Sequence, residues 1–266
     1  MAAAEHTHTH TLSLSLSLSL GFNALKRFAR RRAQKRQTPI IAAALWAVEA
    51  LEQRVMLTGA PAFVSLTPGA NLAITGSSGA YTAELISGGM TVNQNFNSLA
   101  AWQNLILKVD GGTAVAFNSP QTLGALNLDP GSTVNVTRGD GSYATGSNLL
   151  DLHSLSFDPA ARLDLGDSDM ILHNGGSGGF AVLEARATAA FDGGKWDLSG
   201  LASSAAADPA RPNPMGLGVV LGSSLPSGAF DGMTVNPNDV DVKYTLAGDV
   251  DLNGTVNLID YHAHKE

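Results

Sequence analysis

A chain of 266 residues with 44% hydrophobic but only 6% aromatic content and 29 Gly has room for one or two domains and leans toward Gly-punctuated β-structure. The absence of Cys excludes disulfides, thiol catalysis and Cys-based zinc sites. Residues 1–62 hold 8 of the 16 Lys+Arg and 3 of the 23 Asp+Glu; the remainder, with 8 basic and 20 acidic residues, is formally −12 and poorly suited to binding nucleic acid.

Residues 1–62 read as an address. His-Thr and Ser-Leu repeats over residues 1–25 have the low complexity of a disordered leader, with His6, His8 and His10 inside it. The basic run Lys26-Arg27-Phe28-Ala29-Arg30-Arg31-Arg32 follows, then Lys35-Arg36 and an apolar stretch over residues 39–48. Ten apolar residues are too few to span a bilayer and suit the core of a signal peptide. Ala60-Pro61-Ala62 offers a small-residue cleavage site. Before it stands Leu51-Glu52-Gln53-Arg54-Val55-Met56-Leu57-Thr58, which resembles the Leu-Glu-Pro-Arg-type motif of exported planctomycete surface proteins. Gln53 replaces that motif's Pro, and Met56 a Leu. The resemblance implies export to the extracellular space or cell surface; the shortness of the apolar stretch predicts no transmembrane span in the mature chain.

The body repeats one β unit: an apolar-x-apolar strand, a corner, and a second apolar-x-apolar strand. Val64-Ser65-Leu66 is followed by Thr67-Pro68-Gly69 and Leu72-Ala73-Ile74. Leu107 and Val109 precede Asp110-Gly111-Gly112, then Val115 and Phe117. Leu126 and Leu128 precede Asp129-Pro130-Gly131, then Val134 and Val136. Leu155 and Phe157 precede Asp158-Pro159-Ala160, then Leu163 and Leu165. Period-two alternation places the apolar side chains on one face. At the corners Asp or Thr caps the turn, Pro presets φ, and Gly accepts positive φ. The anchors Thr67, Asp110, Asp129 and Asp158 lie 43, 19 and 29 residues apart. That spacing predicts solenoid rungs of about 20 residues, with one more in residues 75–105. A β-sandwich whose units are hairpins is the alternative.

Beyond the fourth unit come a strand over residues 167–173, a Gly-rich turn over 174–179, Lys195-Trp196, and Asp241-Val242-Lys243-Tyr244-Thr245. This order resembles the C-terminal part of autotransporter-like, filament-like surface proteins of the same bacteria. There a β-helical stalk runs into a dockerin-like loop.

The final loop reads Asp249-Val250-Asp251-Leu252-Asn253-Gly254-Thr255-Val256-Asn257-Leu258-Ile259-Asp260. Alternating Asp and Asn in a tight turn supply the oxygens that a hard cation needs. Gly at the sixth place permits the bend, and the seventh offers its carbonyl. Asp249, Asp251, Asn253, Thr255 (through its carbonyl), Asn257 and Asp260 are the expected calcium ligands. Asp at the twelfth place, Asn at the ninth and Tyr261 directly after resemble a single dockerin type I repeat. That resemblance implies a calcium cofactor and, where two such repeats stand together, a cohesin-like protein partner.

Other chemistry has weaker signals. Gly175-Gly176-Ser177-Gly178-Gly179 has the letters of a nucleophile elbow, which needs a strand before and a helix after; it reads as a flexible turn. Asp164, Asp167 and Asp169 offer a carboxylate pair or a second calcium site, but read as solvated faces and turn caps. His153 reads as solvent-facing, His173 as the end of a strand, and Trp102 and Trp196 as core. The expected fold is all-β: a right-handed β-solenoid or β-helix-like body over 63–245, after a leader over 1–62. A calcium loop with a short helix follows over 246–266. The expected function is structural or adhesive, with no catalytic residue and a surface polysaccharide or cohesin-like protein as partner. A polysaccharide lyase or glycoside hydrolase, or a cohesin-docking subunit of an extracellular complex, is the alternative.

Overall fold

The computed structural model describes residues 60–137, 149–225 and 228–263. The expected export segment lies almost wholly outside the described residues. The chain begins with β1 (Val64–Leu66), β2 (Asn71–Ser77), β3 (Ala80–Ser87) and β4 (Gly89–Val92). There follow β5 (Ile106–Val109), β6 (Ala114–Phe117), β7 (Gln121–Leu123), β8 (Ala125–Leu128), β9 (Thr133–Val136) and β10 (Leu149–Leu152). Then come β11 (Leu155–Phe157), β12 (Arg162–Asp164), β13 (Asp169–Leu172), helix α1 (Gly176–Phe191), β14 (Gly200–Ala202) and β15 (Met215–Leu221). The last elements are β16 (Ala229–Phe230), β17 (Met233–Thr234), β18 (Val240–Leu246) and α2 (Leu258–Ala263).

The described residues are mostly β with few helices. A first sheet has the order β1-β4-β6-β9-β12-β14, a second β11-β8-β5-β3-β2, and a third β15-β18-β13-β10-β7. From β5 to β13 the chain visits the second, first and third sheets in the same rotation. The two strands of each of units two to four lie in different sheets, so those units are not the hairpins that the sandwich alternative needs. Equivalent strands pair in parallel, and the repeats stand in register. Leu126 faces Leu107 on one side and Leu155 on the other. Val134 lies between Val115 and Leu163. Corners close with the amides of Thr113, Ser132 and Ala161 donating to the carbonyls of Asp110, Asp129 and Asp158. Stacked Leu, Val and Phe fill the interior; fully burying each contributes roughly 1.5–3 kcal/mol.

The first unit departs from the sequence reading. Its strands β1 and β2 pair antiparallel with β4 and β3, at the N-terminal end of the stack. In residues 75–105, where the spacing predicts one more repeat, stand β3 and β4, with Leu85 paired to Val109 and Met90 to Val115. At the other end β18 runs antiparallel to both β13 and β15. Parallel strands in the middle of the body thus give way to antiparallel ones near its ends.

The Gly-rich turn over 174–179 is corrected too, because α1 begins inside it. The Ala-rich run after Phe180 has high helix propensity, and α1 buries Leu183, Ala187 and Ala190. A Cβ on Gly175 would lie 2.8 Å from Val240 Cγ2, so the Gly lets the chain pass close to β18.

Candidate metal centre

The C-terminal loop starts one turn after β18. Asp249 donates its amide to the Leu246 carbonyl, and its carboxylate accepts from Thr245 Oγ1 on the strand itself. The loop's amides then fold inward on that carboxylate: Asn253 N donates to Oδ1 at 3.0 Å and Gly254 N to Oδ2 at 2.9 Å. Gly254, at the sixth place, has φ +86, as the sharp bend requires. Asp251 Oδ1 accepts from Asn253 N at 3.2 Å, and Asn253 Oδ1 from Thr255 N at 2.9 Å. Each short acid or amide thus shapes the turn two residues on.

Asp260 closes the loop from the helix side. Its Oδ1 accepts from Val250 N at 2.9 Å, and its Oδ2 from Asn257 N at 2.7 Å. Asn257 Oδ1 accepts in return from Ile259 N at 2.8 Å, so Asn257 and Asp260 cap α2 reciprocally. The amide of Asn257, with those of Val250 and Asp251, holds the Asp260 carboxyl below its ordinary range. It is therefore ionised and able to bind a cation in mildly acidic solution.

Of the six expected ligands, Asp249, Asp251 and Asp260 converge. One carboxylate oxygen from each lies within 4.8 Å of the others. Asp249 and Asp260 are buried. This cluster can hold a metal ion. Asn253, Thr255 and Asn257 sit on the exposed rim of the same turn. All the close donors are oxygens, which suits a hard cation and not a soft one.

A second polar region lies on the face of the third sheet that is turned away from the apolar interior, the face on which the loop docks, beneath residues 228–235. Sequence reasoning missed it. Asp241 is fully buried, and neither of its carboxylate oxygens meets a hydrogen-bond donor among the described residues. Burial, and then the neighbouring Asp239, push its carboxyl up to about 7. Asp169 is pushed up to about 8 by burial and by the adjoining Asp231 carboxyl. Lys243 reaches Asp231 Oδ1 at 2.6 Å and Asp169 Oδ2 at 3.4 Å. Burial opposes its charge, but the two acids outweigh that and raise its pKa. His173 stands between Asp239 Oδ2, 3.1 Å from Nδ1, and Asp151 Oδ1, 2.8 Å from Nε2. Burial works against ionised Asp239, yet the amides of Asn174 and Asn236, together with His173, hold its carboxyl below the ordinary range. The signal was present in Asp239, Asp241 and Lys243, which alternate with Val. Such alternation ordinarily marks a wet face.

The weaker candidates separate. Asp164 pairs with Arg162 at 3.0 Å, Asp167 with Arg211 at 3.7 Å, and Asp169 with Lys243, so the three acids have different partners. Strand β13 and helix α1 do flank Gly175-Gly176-Ser177-Gly178-Gly179. The nearest base in sequence, His173, has a carboxylate against each ring nitrogen. His153 is exposed, with its ring 5.0 Å from that of His173, while Trp102 and Trp196 are buried. Among the described residues no helix is long and apolar enough to cross a membrane. Comparison with protein-family models, with curated proteins and with solved structures found no match to the chain.

Proposed function

We propose that this chain is an exported structural or adhesive protein of the cell surface or extracellular space, with a C-terminal loop that binds calcium. One observation carries the reading: Asp249, Asp251 and Asp260, spaced along twelve residues as a calcium loop requires, bring carboxylate oxygens within 4.8 Å of one another. Asp249, Asp251, Asn253, Asn257 and Asp260 hold the ion through side-chain oxygens and Thr255 through its carbonyl. The body is a β-solenoid. The rotation of β5 to β13 through three sheets and the in-register parallel ladders support that architecture. Such a stack presents long, regular faces to a surface polysaccharide or a protein partner. The structural reading is favoured over a catalytic one because Asp164 and Asp167 pair with Arg162 and Arg211, and Asp239 and Asp241 are buried.

Calorimetric calcium titration of the full chain tests the reading beside a variant carrying Asp249→Ala and Asp260→Ala. Heat of binding in the parent that vanishes in the variant is the expected result. A parent that takes up no calcium at millimolar concentration refutes it.

A further inference from the structure

Leu252 stands between Asp251 and Asn253, two of the proposed ligands, yet it is buried against the body. It packs with Ile171 of β13 and with Phe230 and Val235 of the layer over the third sheet. Directly beneath it is Gly218 of β15, where a Cβ would lie 2.3 Å from Leu252 Cδ2. Only Gly leaves the space that this leucine fills. The Leu252 backbone has φ +55, which is unfavourable for a leucine and is held here by the docking. The loop is tied down at a second point, where Thr245 Oγ1 donates to Asp249.

We propose that Leu252 couples metal capture in the loop to closure of residues 228–235 over the third sheet, so that the two form as one unit. The proposal rests on the calcium reading above. Three carboxylates held within 4.8 Å of one another repel when no cation is bound. That repulsion opposes the left-handed turn that seats Leu252. A divalent cation removes the repulsion, and the seated leucine completes the cluster of Ile171, Phe230 and Val235. The coupling is reciprocal: a closed layer presents Asp251 and Asn253 in place, and so raises calcium affinity. Leu252 is a positioning residue, since it offers the ion no atom.

The test pairs calorimetric calcium titration of the full chain with hydrogen exchange of residues 228–235, each with and without calcium. Calcium should slow exchange in 228–235 of the parent. Leu252→Ala, which leaves every ligand in place, should bind calcium about tenfold more weakly and lose that protection. Leu252→Met, similar in volume, should restore both. Unchanged affinity in Leu252→Ala overturns the proposal. So does a parent that binds calcium while exchange in 228–235 stays the same; that second result decides even if Leu252→Ala does not fold. A parent that binds no calcium overturns the underlying reading, which is a distinguishable failure.

Discussion

The middle rungs of the body and its C-terminal third both build ladders of strands, but they fill their faces with opposite chemistry. Between β5 and β12, Leu107, Leu126, Val115, Val134 and Leu163 stack in the interior, and polar side chains such as Asn135 point outward. In the third sheet, β13 and β18 have an apolar face of Met170, Leu172, Val240 and Val242. Their opposite face buries Asp241 and Lys243, with Asp169 half-buried beside them, under residues 228–235. The first region has an apolar interior, with no titrating side chain among these stacked residues. The second also depends on where protons reside, and the loop that docks on it concentrates acids further. The two regions should therefore respond to different perturbations.

The largest expected effect lies in the stack. Leu126 is fully buried between two leucines of neighbouring rungs. Leu126→Ala should cost about 3 kcal/mol of unfolding free energy. The interior around it is apolar, so denaturant melts at pH 5 and pH 8 should give the same loss. A loss that differs strongly between the two would mean that the stack and the acidic layer do not behave independently.

The layer over the third sheet should show the opposite pattern. Burial holds the Asp241 carboxyl near 7 and the Asp169 carboxyl near 8, both above the ordinary value of 3.8. The folded state thus retains protons that the unfolded chain releases. The stability they contribute is complete below about pH 4. It is lost as pH rises toward 7 for Asp241 and toward 8 for Asp169, and is level above those values. Each group contributes a slope of at most about 1.4 kcal/mol per pH unit. Asp241→Asn removes one of the two titrations, so its stability should fall less steeply between pH 4 and 7. At pH 8 it should exceed the parent by about 2 kcal/mol. Parent and variant curves that run parallel across this range would remove Asp241 from the account.

The stack was legible because its signal is local and repeated. Leu-x-Leu strands and Asp-Pro-Gly corners place units two to four correctly, and their registers follow. The rung at β3 and β4 escaped because its corner is one residue shorter. Leu85 to Met90 spans five positions where Val109 to Val115 spans six, which breaks the pattern. Helix α1 escaped because glycines at its start read as a turn, while its alanines gained their helical role by packing on β14. In the loop, spacing alone identified Asp249, Asp251 and Asp260. It could not reveal Leu252 or Thr245, because their part depends on β15 and β18 lying beneath the loop. The burial of Asp241 was illegible for the same reason: the alternation with Val marks a polar face, but nothing along the strand says that a second layer covers it.

The smallest effect returns to the stack, on its outside. Asn118 donates from Nδ2 to Asn93 Oδ1 at 2.7 Å and accepts from Thr137 Oγ1, so polar side chains on successive rungs form a line. Asn118 is exposed, and water can replace either partner. Asn118→Ala should therefore cost about 0.5 kcal/mol, independently of pH between 5 and 8 and of calcium. The small value follows from the proposed division: this line of polar contacts is wet, and the apolar interior contributes most of the stability. A measured loss above about 1.5 kcal/mol would mean that this external line supports the stack as strongly as a charge-assisted contact does. The apolar interior would then no longer account for most of the stability in the middle of the chain.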